Sequence, residues 1–383
     1  MKSEPRARLL DLTRLFRRAG RRMTGVDRVE FAYLKHLVAD SVPLFALVRT
    51  RLGYMLLDQV GCDRVRDAVL DNSWGPNAEA DLRRWCLTRT WPPGLSRMLR
   101  RHLPPGCTYL NTGHSNLSDR VIAAVNCLPD NRIAVLVHDT IPLDMPQYQR
   151  PETHAAFSAF IARVSRAADL VICNSAQTEA DVIRHCKSSG RVPPSLVAHL
   201  GVPHPAPGIA PSGPWDSAPY FVTLGTIEPR KNHALLLDLW QQMKGEDAPH
   251  LLILGTRGWR NKAVFAQLDQ GLPRVHEIAN LEDDAVFALL KHSAGLLFPS
   301  FAEGYGLPPI EAAALGVPVV CNDLDIYHEV LENIPIYADV SDGYLWSQTI
   351  DRLTEMWRTG ARTPDPIAPP DWDTHFNRIL TSI

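Results

Sequence analysis

The sequence predicts an α/β protein built from two doubly wound parallel sheets, one in each half of the chain. Three observations predict it. Strand-like and helix-like segments alternate on both sides of one proline-dense stretch, and such alternation builds parallel βαβ units. At 383 residues the chain exceeds one ordinary core, so two domains are the default. The charge divides in the same place: residues 1–210 carry 28 Lys+Arg against 19 Asp+Glu, and residues 211–383 carry 12 against 23. A split like this suits two domains with different partners, the first of them anionic; a plain drift of charge along the chain is the alternative.

The elements follow in order. "ARLLDLT" (7–13) reads as a strand and "RLFRRAGRRMTG" as a basic loop after it. Residues 26–40 place Val26, Val29, Tyr33, Leu34 and Leu37 at helical spacing. "VPLFALVRT", "RIAVLVHDT" (132–140) and "DLVICNSA" (169–176) are apolar runs that end in polar residues, the pattern of buried parallel strands. "TEADVIRHC" is a helix that Thr178 and Asp181 could cap. Residues 201–219 contain six prolines, a density that neither a helix nor a central strand survives. Beyond them come "YFVTLGT", "HLLILGT", "AGLLFPS" and "VPVVC" as strands, alternating with "NHALLLDLWQQMK", "DDAVFALLKHS" and "PPIEAAALG" as helices. The expected division is an N-terminal domain over 1–205, a linker over 206–219, a C-terminal domain over 220–360 and a final segment over 361–383.

Composition excludes several classes. No run of 18 apolar residues exists to span a membrane, and the N-terminus lacks the apolar centre of a signal peptide. The seven cysteines are scattered and form no C-x-x-C, which argues against a disulfide framework or a zinc site and fits a reducing cytoplasm.

The chemistry concentrates at "FAEGYGLPPIEAAALGVPVVC" (301–321). A loop leaves a strand, and "LPP" opens a helix, where proline is tolerated because its missing N–H has no partner there. Gly304 and Gly306 let the backbone approach a ligand closely, and the N–H groups at the helix start suit an anion. Glu303 and Glu311 flank that site. Acids beside an anion site repel the anion, so they are expected to touch uncharged hydroxyls, such as those of the two sugars of a nucleotide sugar. A capping Glu311 and a surface Glu303 form the plainer reading. "GTIEPRKNHALLL" (225–237) also follows a strand and opens a helix, with Arg230 and Lys231 at the turn, where two cations suit a pyrophosphate. Arg257, in "LGTRGW", is a possible third cation.

Taken together, G-T-I-E-P-R-K-N, G-T-R-G-W and P-S-x-x-E-G-Y-G-L-P-P-I-E-A resemble the retaining GT-B glycosyltransferases of family 4, nearest to the bacterial mannosyltransferase B-like branch. The resemblance is strong over roughly 220–330, weaker through "LVHDTIPLDMP" and "MTGVDRVE", and absent over 50–115. It implies two Rossmann-like domains facing across a cleft, and a hexose, above all mannose from GDP-mannose, moved with retention to a lipid-linked or polysaccharide acceptor. It implies that Glu303 holds the donor sugar and Glu311 the ribose. Gly225, Thr226, Arg230, Lys231 and the amides near Gly304, Tyr305, Gly306 and Leu307 would bind the diphosphate. Thr226 stands where many relatives carry arginine, which shifts the phosphate load to Arg230 and Lys231. His138 would face the donor sugar; Thr24 and Gly25 would border the acceptor path. The final segment would cross back to the first domain.

Asp139 could orient His138 or cap its loop. "NTGHSNLSD" (111–119) lacks a nucleophile elbow and reads as an acceptor-side loop. "DLD" (323–325) has the form of a metal motif but lies beyond the phosphate loop, so no metal and no cofactor besides the nucleotide sugar is expected. Residues 82–103 hold six arginines, two tryptophans and no acid, which suits either an anionic membrane surface, with peripheral attachment from the cytoplasm, or a basic helix packed on the domain. Nucleic acid is not expected, because no binding motif accompanies the charge. A UDP- or dTDP-sugar transferase, a sugar-nucleotide epimerase and an inactive binding module are the alternatives; the last would lack the Glu or cation pair, and both pairs are present.

Overall fold

The computed structural model describes residues 5–245, 247–361 and 364–383. The described residues form two compact units: those within 5–140, 155–200 and 372–383, and those within 141–154 and 201–371.

The first unit contains one eight-stranded sheet. Its strands are β1 (Ala7–Asp11), β2 (Leu44–Arg49), β3 (Tyr54–Leu57), β4 (Thr88–Thr90), β5 (Cys107–Asn111), β6 (Arg132–Val137), β7 (Leu170–Cys173) and β8 (Ser195–Val197). The order is β4-β3-β2-β1-β5-β6-β7-β8. From β2 to β8 the pairs are parallel, and their inward residues, such as Leu9, Leu10, Tyr109 and Leu136, are fully buried. The sheet is not parallel throughout, as the alternation had suggested: β3 and β4 add an antiparallel edge. The reason is the tight turn after β2, where the Thr50 N–H donates to the Gly53 carbonyl at 2.8 Å and the Gly53 N–H to the Thr50 hydroxyl at 3.2 Å, leaving no room for a crossover helix.

Three local expectations also change. Thr13–Arg17 is a short helix rather than loop, because the Asp11 carboxylate takes the Thr13 N–H at 3.0 Å and Glu30 takes the Leu15 N–H at 2.8 Å. The helix Ala176–Ser188 is capped by Ser175, whose hydroxyl accepts from the Thr178 N–H at 3.0 Å, not by Thr178 and Asp181. Residues 82–103 are not one basic helix but a helix end, β4, a 3-10 turn and the helix Leu95–His102.

The second unit has six strands: β9 (Tyr220–Leu224), β10 (His250–Leu254), β11 (Val275–Ile278), β12 (Gly295–Phe298), β13 (Val319–Cys321) and β14 (Ile336–Tyr337). All pairs are parallel, in the order β11-β10-β9-β12-β13-β14. The chain therefore reverses its direction of winding between β9 and β12. In open α/β sheets, ligands bind beyond the carboxyl ends of the strands at such a switch. Residues 206–219 lie within this unit. Their prolines prevent a helix, yet Trp215 is buried and meets the His276 ring edge-on at 4.9 Å. The helix Trp372–Leu380 packs in the first unit, where His375 shares a 2.9 Å hydrogen bond with the Tyr33 hydroxyl and Phe376 is buried.

Behind the second sheet, Trp346 is fully buried with Phe221, Trp240, Leu297 and Val320, and its Nε1–H donates to the Asp339 carbonyl at 3.1 Å. A cavity of that size refills poorly, so Trp346→Ala is expected to cost about 3–5 kcal/mol. Urea unfolding measures this, and a loss under about 1 kcal/mol would show that Trp346 does not anchor the core.

Candidate functional site

The loop after β9 begins at Gly225, whose φ of +127° is open to glycine and strained for other residues. A side chain there would also meet Lys231, which crosses it with Cε 3.4 Å from the position a Cβ would take. Pro229–Lys231 forms a 3-10 turn, and Asn232, left-handed at φ 53°, redirects the chain into the helix His233–Gln242. Lys231 is thereby laid under the loop, its Nζ 4.3 Å from the centre of the Phe298 ring on β12.

The loop after β12 brings Glu303 against both cations. Lys231 Nζ donates to its carboxylate at 2.6 Å, and Arg230 Nη1 lies 2.8 Å from the same oxygen. Arg230 also donates to the Ala302 carbonyl at 2.6 Å and pairs with Glu228 at 2.8 Å. The Phe301 N–H donates to the Arg230 carbonyl at 2.9 Å, so the two loops are tied through backbone as well. Gly306, at φ +89°, starts the helix Leu307–Ala314, and a Cβ there would sit 2.7 Å from the Tyr327 ring. Pro308 and Pro309 have no N–H, so the amides able to face an anion at this helix start precede them, at Gly306 and Leu307. Glu311 is buried as the fifth residue of this helix, just past a first turn that holds no acid.

Burial alone would raise the Glu303 carboxyl, but Arg230 and Lys231 outweigh it and hold it down to about 2. Lys231 moves the opposite way from an ordinary paired lysine: burial, with Arg230 beside it, lowers it more than Glu303 raises it. Glu303 stays ionised, because two cations touch one carboxylate. Glu228 is raised, first by burial and also by Glu303, against the pull of Arg230 and Lys231.

The structure gathers Gly225, Arg230, Lys231, Glu303 and Gly306 at the β9/β12 switch. Thr226 lies in the same loop. Arg257 is engaged elsewhere: its guanidinium is held by Glu277 at 2.8 Å and Asp269 at 2.7 Å. Asp323 accepts from His328 at 2.6 Å, and Asp325 opens the helix Asp325–Leu331. Three residues not singled out from the sequence support the loops. Glu228 fixes Arg230. Asn322 donates to the Ser300 carbonyl at 2.9 Å. Tyr148 stacks on Phe301 with ring centres 5.1 Å apart. Glu228 stood inside the quoted motif, and its i, i+2 spacing to Arg230 was the available signal.

In the first unit, His138 follows β6 and is 5% exposed. Its Nε2–H donates to the Thr112 carbonyl at 2.7 Å, and its backbone N–H donates to His114 Nε2 at 3.0 Å. Burial pushes His138 down to about 4, so it is neutral near pH 7 with Nδ1 as its remaining acceptor. Asp139 is the next residue. Thr24 and Gly25 start the helix Gly25–Val38, where the Thr24 N–H donates to Asp27 at 2.7 Å and Arg14 and Arg18 bind the same carboxylate. His114 lies in the segment read as an acceptor-side loop, and its contact with His138 spans 24 residues, which no local spacing reports.

A pH prediction follows from Glu303. Its folded value lies below the ordinary 4.5, so its contribution is complete above about pH 4.5 and fades as pH falls toward 2. Glu303→Gln is expected to be less stable than wild type at neutral pH, with the gap in urea midpoint closing in acid. A gap that widens in acid contradicts the ion-pair account.

Residues 210–354 match the family Glycosyl transferases group 1. A serotype-specific mannosyltransferase, WbdA of Escherichia coli, is 28% identical over 239 residues, covering 57% of this chain and 29% of that protein. O-antigen chain mannosyltransferase B of Escherichia coli is 32% identical over 127 residues, covering 32% of this chain and 33% of that protein. The chain spans less than half the length of these curated relatives. Among solved structures, Anabaena Alr3699/HepE in complex with UDP-glucose superposes with a TM-score of 0.63 at 14% identity, over 98% of this chain and 96% of that one. At that identity the likeness concerns the fold. The fold is therefore GT-B, two Rossmann-like α/β units, and residues 210–354 of it resemble the group 1 glycosyl transferases.

Proposed function

We propose that the protein is a retaining glycosyltransferase that moves mannose from GDP-mannose to a lipid-linked or polysaccharide acceptor in surface glycan synthesis. The observation that carries the reading is the largely buried meeting of Arg230, Lys231 and Glu303 at the β9/β12 switch. The mannosyltransferase names of the sequence relatives support the choice of sugar.

In this reading the diphosphate lies against Lys231, Arg230 and the amides of Gly306 and Leu307, beside Gly225, Thr226, Gly304 and Tyr305. Cleavage of the sugar–phosphate bond leaves positive character on the sugar carbon and negative charge on the departing diphosphate. Fixed donors that meet this charge lower the barrier, by about 3–4 kcal/mol for a key donor. Glu303 takes the donor sugar hydroxyls, and Glu311 the ribose. For the first unit we propose acceptor handling by Thr24, Gly25 and Asp139, with the free Nδ1 of His138 accepting from a sugar hydroxyl. Arg257 is left out of the donor set, since Glu277 and Asp269 already claim it. No divalent metal takes part, and the protein works in the cytoplasm against the inner membrane face.

Lys231→Ala is expected to lower turnover by roughly 10²-fold in a protein that still folds. Wild-type turnover would remove Lys231 from the mechanism. GDP-mannose is expected to raise the thermal midpoint more than UDP-glucose; the reverse order would move the reading to a UDP-sugar. Activity is expected to survive EDTA, and loss restored by Mg²⁺ or Mn²⁺ would return "DLD" to consideration.

A further inference from the structure

Strand direction gathers three loops of the first unit along one edge. β2 runs parallel to β1, and β4, antiparallel to β3, runs the same way again. The loop after β1, the turn after β2 and the turn after β4 therefore all leave from the carboxyl edge of the sheet. The last two are close neighbours, since a Cβ on Gly53 would stand 3.1 Å from the Trp91 Cα.

This edge is apolar at its tips. Trp91 is 68% exposed, Leu52 57% and Met23 36%. It is also strongly basic. Residues 12–26, 48–57 and 82–103 together contain thirteen arginines and neither Asp nor Glu. Some of the arginines are spent locally: Arg14 and Arg18 on Asp27, Arg83 on Glu79 and Arg84 on Asp81. Trp85, the other tryptophan of 82–103, stacks on the buried Trp74 instead of facing out. In the same passages as Met23 and Leu52, Arg17, Arg21 and Arg51 are exposed and without an ion pair among the described residues, as are Arg49 and Arg89 beside them.

We propose that this carboxyl edge docks on an anionic membrane surface, with Trp91, Leu52 and Met23 entering the headgroup layer and Arg17, Arg21 and Arg51 meeting lipid phosphates. Charge complementarity selects this occupant. Three loops free of acid, rimming exposed apolar tips, suit a surface that is anionic and apolar beneath. The proposal rests on the reading of the acceptor as lipid-linked. It adds a purpose for the placement, because ligands of open α/β sheets sit at that same carboxyl edge.

The test is co-sedimentation of the full chain with vesicles of phosphatidylcholine alone and of phosphatidylcholine mixed with phosphatidylglycerol, at low and high salt, beside the thermal shift given by GDP-mannose. Binding is expected only to the mixed vesicles, and to weaken with salt. Each cation near such a surface adds roughly fivefold, so R17S/R21S/R51S is expected to lower partitioning on the order of 100-fold. L52S/W91A is expected to lower it at least about tenfold, and Trp91→Phe to restore most of it. Both multiple variants keep the donor-induced shift, which shows that they fold. Equal binding of the wild type to both vesicle types, no binding to either, or variants that bind like wild type would overturn the proposal. A wild type that binds mixed vesicles but shows no shift with any nucleotide sugar would overturn the transferase reading and leave the surface standing.

Discussion

Glu303 is a carboxylate almost removed from water, and two cations from the neighbouring loop make that burial tolerable. A lone buried charge costs several kcal/mol. Here the 2.6 Å and 2.8 Å contacts with Lys231 and Arg230 offset it. Much of the second unit follows from that need. The sheet must reverse its winding between β9 and β12 so that the two loops leave side by side. Gly225 must lack a side chain where Lys231 passes, and Phe298 must lie beneath the ammonium. Arg230 reaches Glu303 with its guanidinium fixed on the other side by Glu228, and it anchors Phe301 through its own carbonyl. The chain spends buried charge here and hardly elsewhere in the unit, which marks the place as built for something other than stability.

How much of this could be read from the sequence depends on distance along the chain. Arg230, Lys231, Glu303 and Gly306 were legible because each sits in a short strand–loop–helix passage whose residue types have few other uses. The contact between them spans 72 residues and no periodicity reports it; only the strand order brings it about. The helix start at "LPP" was legible too, and it makes Glu311 the fifth helical residue, just past the first turn. The antiparallel edge of the first sheet was missed for a related reason. β3 and β4 are four and three residues long, too short to show alternation, and the turn joining β2 to β3 is set by one threonine–glycine exchange.

An arginine count does not by itself say which cations are left unpaired, in either unit and for the same physical cause. A cation binds the nearest carboxylate that geometry allows. Arg257 stands in a motif that suggests phosphate, yet Glu277 on β11 and Asp269 reach it first. Arg83 and Arg84 lie in a segment without acids, but acids one helical turn earlier claim them. Charge that is free to meet a partner is the remainder after these local pairings.

That remainder differs between the two sites in kind. Glu228, Glu303, Arg230 and Lys231 sum to zero, so the cluster at the switch has no surplus charge to attract an anion from afar. Its value is fixed orientation: Lys231 has three N–H donors, and Glu303 occupies one of them at 2.6 Å. In the proposed transfer, such a group can meet the charge that develops on the diphosphate without first reorganising, which is where a donor contributes to rate rather than to affinity. A neutral cluster also needs nothing bound to stay folded, since it buries no uncompensated charge. Surplus charge is found instead on the exposed edge of the first sheet, where Arg17, Arg21 and Arg51 stay in water and burial imposes no cost on leaving them unpaired.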